Sequence, residues 1–123
     1  MTTPSLQVLL DGQVLYSNNG KWLYPLFDLE DYLKEHPDLL QKATVWDKVI
    51  GKAAALLILR LGGSRVHGVL MSELAAETLE KAGIAHSFDT LVPRIDCQTE
   101  KILEDIVDPD EAYEILCKRA GRC

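Results

Sequence analysis

Apolar residues at every second position open the chain. Leu6, Val8 and Leu10 alternate, Asp11-Gly12 supplies a turn, and Val14 and Tyr16 carry the alternation on, which predicts a β-hairpin. Ser17-Asn18-Asn19-Gly20 breaks that pattern. From Leu26 the spacing becomes helical through Leu29, Tyr32 and Leu33, and Pro37 closes the helix. Ala43 to Trp46 reads as a short strand running into Asp47, a residue type suited to an N-cap. A helix is expected from Asp47 to about Leu61. Its stripe of Val49, Ile50, Ala53, Ala54, Leu57, Ile58 and Leu61 is backed by Ala55, Leu56 and Leu59 on the opposite face. A helix apolar all round is covered all round, so this one is central.

Gly62-Gly63 ends it. Val66 to Leu70 then reads as a buried strand. Ser72 caps a helix carrying Leu74, Ala75, Thr78 and Leu79 that Gly83 terminates, and Ile84 to Leu91 forms another strand. Helical spacing returns at Cys97 with Lys101, Ile102 and Ile106, and Asp108-Pro109 starts a last helix through Tyr113 and Leu116. A hairpin followed by alternating helices and strands predicts an α/β fold, a three-layer α/β/α sandwich with a mixed sheet, in a single domain over residues 1–123.

Composition narrows the function. Of 123 residues, 47% are apolar and 26% charged, as in an ordinary globule. A net charge of −6 argues against a nucleic-acid surface, which needs a basic face. No run reaches the ~18 apolar residues that span a bilayer, and the amino end lacks a secretory pattern, so no membrane partner is expected. Cys97, Cys117 and Cys123 are an odd set without C-x-x-C spacing, which points to a reducing, cytoplasmic setting. His36, His67 and His86 have no ligand spacing, so neither a metal site nor a cofactor is expected.

Candidate chemistry concentrates at the expected start of the central helix. On one helix, Lys48 and Lys52 would lie one turn apart, at an end that already carries partial positive charge. Gly51 between them would let a ligand reach the backbone, and free N–H groups would add anion contacts. The competing reading gives Lys48 a surface carboxylate and makes Gly51 a helix-packing residue. Gly51-Lys52 is not a phosphate loop, because Trp46 and Ala53 stand where glycine and a hydroxyl are required. Cys97 and Glu100 are the catalytic candidates: a thiol at a helix start gains thiolate character, and Glu100 can serve as general base. The competing reading there is a capping arrangement. Ser72, where a buried strand meets the next helix, is either a ligand contact or an N-cap. Trp22 and Tyr24 are either an aromatic pocket edge or core anchors.

Four segments carry a resemblance: Asp47-Lys48-Val49-Ile50-Gly51-Lys52-Ala53-Ala54-Ala55-Leu56-Leu57, Val69-Leu70-Met71-Ser72, Leu91-Val92-Pro93, and Cys97-x-x-Glu100. Together they resemble a small bacterial and archaeal family of uncharacterised domains with a cytidine-deaminase-like fold, over about Val8 to Leu116. The family pattern has Cys-Pro-x-Glu where this chain has Cys97-Gln98-Thr99-Glu100. The resemblance implies a mixed five-stranded sheet. Zinc deaminases of that fold open the central helix with His-x-Glu and the next with Pro-Cys-x-x-Cys. Here those places read Gly51-Lys52-Ala53 and Met71-Ser72-Glu73-Leu74-Ala75, so the resemblance implies no zinc deamination.

Three functions follow as expectations. The first is binding of a small anionic, nucleotide- or phosphate-like ligand by Asp47, Lys48, Gly51, Lys52 and Ser72. The second is a metal-free enzyme using Cys97 and Glu100. The third is a catalytically silent interaction domain that associates with copies of itself.

Overall fold

Strands β1 (Leu6–Leu10) and β2 (Gln13–Asn18) form the hairpin that the alternation requires. In this computed structural model, which describes residues 4–95 and 98–121, Asp11 and Gly12 turn the chain with φ of 51° and 81°. Positive values at both central positions give the turn whose twist matches the strands. Helix α1 (Tyr24–Leu33) follows, with Pro25 in its first turn. The rest alternates: β3 (Thr44–Ile50), α2 (Lys52–Arg60), β4 (Arg65–Ser72), α3 (Glu73–Lys81), β5 (Ala85–Val92), the short α4 (Gln98–Ile102) and α5 (Pro109–Ala120). The five strands form one mixed sheet in the order β2-β1-β3-β4-β5. β1 runs antiparallel to β2 and β3, while β3, β4 and β5 are parallel. The α/β class and the mixed five-stranded sheet match the sequence expectation.

One boundary differs from expectation, and it matters for the site. The chain stays extended through Asp47, Lys48, Val49 and Ile50, and the helix begins only after Gly51. The reason is the partner strand. Asp47 pairs with Gly68, Val49 with Leu70 and Ile50 with Met71, so β4 holds these residues in the ladder. β-Branched Val49 and Ile50 suit a strand at least as well as a helix stripe. Asp47 is therefore not the helix cap. Gly51 occupies that position, without a side-chain cap bond.

α2 is central, as its composition demands. Ala53 through Ile58 are all buried, and the helix packs against α1, α3, α4 and α5. The core continues into the sheet through Leu6, Val8, Val45 and Val66. A polar cluster ties α1, α2 and α5 together at the other end. Arg60 pairs with Glu30 and stacks over the Tyr113 ring, whose hydroxyl donates to Glu30 at 3.1 Å. Burial, aided by the bond to Glu30, pushes the Tyr113 hydroxyl above its usual pKa. Asp108 caps α5 by accepting from the Asp110 amide, as Asp108-Pro109 predicts. Among the described residues no helix is long and apolar enough to cross a membrane.

Candidate functional site

Two helix beginnings meet on one carboxylate. Glu100, 1% exposed, accepts the Lys52 backbone N–H at 2.8 Å and the Ser72 hydroxyl at 2.7 Å on the same oxygen. Its other oxygen accepts the Ile95 N–H at 3.0 Å. Ser72 in turn accepts the Ala75 amide and so caps α3. The electropositive ends of α2 and α3 thus share an anionic side chain of the protein itself, where the sequence suggested an incoming ligand. Gly51 belongs to the same arrangement. A Cβ there would stand 2.2 Å from Ile95 Cδ1 and 2.9 Å from Glu100 Oε2. Its missing side chain admits Ile95 and Glu100, which take the space expected for a ligand. Glu100 has every bond a capping carboxylate needs, from partners 48 and 28 residues away in sequence.

The two lysines do not converge. Lys48 lies on β3, exposed, with its backbone N–H bonded to the Ser5 carbonyl at 3.0 Å. Lys52 is buried at the first position of α2, and its ammonium donates to the Glu104 carbonyl at 2.6 Å. Because strand and helix meet at Gly51, the two side chains line different cavities. Lys52 borders one of about 350 Å³ between α2, α3 and the start of α5. Lys48 borders one of about 410 Å³ beside the opening of α2.

The second cavity is lined largely by apolar groups. Leu23, Val49, Ala53, Ala54 and Ile95 form much of it, with the Gly51 backbone at its base and Trp22, Lys21, Lys48, Ser5, Thr99 and Asp47 supplying the remaining chemistry. Trp22 adopts φ of 54°, a left-handed backbone that costs a bulky residue about 1–2 kcal/mol. Such strain persists only where the surroundings enforce it. Asn18 does part of that work: its side chain accepts the Gly20 N–H at 2.7 Å and donates to Asp28 and to the Tyr16 hydroxyl. The result leaves the indole 41% exposed at the cavity, edge-on to Tyr24 with ring centroids 5.4 Å apart. Both aromatics are exposed, so neither is a core anchor; Trp22 borders the cavity and Tyr24 packs beside it.

Asp47 stands out electrostatically. Burial raises its pKa from 3.8 to about 7, against the smaller opposing effect of hydrogen bonds from the Val49 and Lys48 amides. The linkage follows from the sign of that shift. The contribution of Asp47 to stability is fully present below about pH 4 and is lost as pH rises through about 7, because the unfolded chain ionises first. Asp47→Asn should therefore raise stability at pH 8 by up to about 4 kcal/mol, three pKa units at about 1.4 kcal/mol each, and leave it nearly unchanged at pH 4. Urea melts at both pH values measure this, and an equal effect at the two would contradict it.

Of the catalytic candidates, Cys97 lies outside the described residues, and Glu100 is consumed by the helix starts. Cys117 is buried in α5 and disulfide-bonded, which corrects the expectation of unpaired thiols at that position. His67 contacts the Ser87 hydroxyl and Asp89 on neighbouring β5. Among the described residues no group of three His, Cys, Asp or Glu side chains is placed to hold a metal. Sequence reasoning did not connect Lys21, Ile95 and Thr99 with the cavity. Only the polar break at Ser17 to Gly20 marked that a loop would arrive there.

Comparisons with known proteins place this arrangement in context. The sequence profile of a family described as a domain of unknown function (DUF1893) matches residues 3–119. A crystal structure of a DUF1893 family protein from Thermotoga maritima superposes with a TM-score of 0.83 at 25% identity. The match covers 94% of this chain and 80% of that one. No curated protein matches the chain.

Proposed function

The chain belongs to the DUF1893 family, and on that premise we propose that it binds a small, partly flat anionic ligand, of nucleotide or phosphate-ester type, in the cavity beside the start of α2. One observation carries this reading: an apolar cavity of about 410 Å³ that holds an exposed indole, two lysines and a carboxyl titrating near neutrality. That volume and mix of walls suit a small-molecule site. The roles follow from chemistry. Trp22 offers a face for a planar ring, and such stacking contributes about 1–3 kcal/mol. Lys21 and Lys48 supply the positive charge for an anionic group. Asp47 can donate or accept a hydrogen bond close to pH 7, which suits a nucleobase edge. Gly51 contributes backbone. Lys52 and Ser72 play no direct part, since one lines the other cavity and the other is bonded to Glu100.

Calorimetric titration with a panel of nucleotides and sugar phosphates tests the reading. Lys48→Ala and Trp22→Ala should each weaken binding about tenfold or more, roughly 1.4 kcal/mol. Lys52→Ala, altering the other cavity, should leave it within about twofold. Silence across the panel, or binding indifferent to both Lys48→Ala and Trp22→Ala, would sink the proposal.

A further inference from the structure

The cavity on the far side of α2 holds a different kind of chemistry. Lys52 is 6% exposed and reaches into a space of about 350 Å³ whose apolar walls include Leu59, Leu74 and Val107. Other charges at its border are already matched. Lys81 pairs with Glu77 at 2.7 Å, and Glu104 pairs with Arg94 at 2.7 Å. Lys52 makes no ion pair among the described residues; its ammonium donates to the Glu104 backbone carbonyl. We infer that Lys52 is a reactive amine that forms an imine with a small aldehyde or ketone admitted to this cavity.

An anion is the less suitable guest, because Glu77 and Glu104 border the space and Asp105 stands close enough to act on Lys52. A neutral carbonyl compound meets no such repulsion. Burial is the main influence on the amine and lowers its pKa; Lys81 adds to that, while Asp105, Glu77 and Glu104 oppose it. Partial desolvation favours the neutral amine, the form that acts as a nucleophile. The step balances without a co-reactant. The Nζ lone pair attacks the carbonyl carbon and forms a C–N bond. Both protons of the neutral amine end on the carbonyl oxygen, which departs as water as the C=N bond forms. No electrons are gained or lost overall.

The test uses the intact protein with propionaldehyde and cyanoborohydride, which fixes each imine as a stable secondary amine. Site-resolved mass spectrometry then gives a rate for every lysine. At pH 7, Lys52 should be labelled several-fold faster than exposed Lys34 and Lys48, because burial favours its neutral, nucleophilic form. Its rate should also level off at a lower pH than theirs. Lys52→Arg, which keeps a cation beside the Glu104 carbonyl, should abolish the fast phase and leave the slow one. Equal or slower labelling at Lys52 overturns the inference, and the wild-type rates decide it even if the variant fails to fold. The outcome does not depend on ligand binding in the cavity that Lys48 borders.

Discussion

Glu100→Ala is expected to lower the unfolding free energy by about 3–5 kcal/mol, the scale for stranding three hydrogen-bond donors at once. The loss comes from what stays behind. The Lys52 and Ile95 amides and the Ser72 hydroxyl all point at the vacated position. Each buried donor left without an acceptor costs about 1–3 kcal/mol. Glu100→Gln separates geometry from hydrogen-bond polarity. It keeps the shape, but its amide must face one of these donors with an NH2 group, so about half the loss should persist. Urea denaturation of both variants at pH 7 provides the measurement. A loss below about 1 kcal/mol for Glu100→Ala would show that the helix starts find water or other partners instead.

Gly51→Ala is expected to cost about 2–3 kcal/mol, near the upper end for overpacking a filled interior. Backbone conformation is not the cause, since Gly51 is extended, with φ −97° and ψ −176°. The new methyl would collide with Ile95 and press on Glu100, so both side chains must retreat from the start of α2. That retreat would loosen the three bonds Glu100 makes. The two substitutions share partners, so their effects should not add. A double variant no worse than Glu100→Ala alone, by the same melts, is the expected outcome.

Local rules made much of the architecture legible. Alternation and Asp11-Gly12 gave away the hairpin. Ser72 and Asp108-Pro109 marked the starts of α3 and α5, and the all-round apolar composition of residues 53–58 announced a central helix. The join between β3 and α2 was not legible. Val49 and Ile50 satisfy a helical stripe and an extended run equally well, and only the pairing with Leu70 and Met71 decides. That join also sets which cavity each lysine faces. Moving the helix start by a few residues parted Lys48 from Lys52 and turned one expected site into two.

Glu100 was visible as a capping candidate for its own helix, yet its bonds reach back to Ser72 and Lys52. Contacts of that span leave no trace in a local pattern. The left-handed backbone at Trp22 is similar, because nothing in the intrinsic preference of tryptophan announces it. The cationic segment that looked poised for an outside anion has an inside one.

The last strand has a consequence for how the molecule behaves in a crowd. Among the described residues β5 ends the sheet and pairs only with β4. Most of its residues are exposed, including Phe88 and Leu91, each at 40%. A border of that length invites another chain to zip onto it, the route by which aggregates grow. Midway along sits Asp89, held toward His67. An intruding strand would have to shed water from that exposed carboxylate to align, which makes this flank a poorer template for stacking.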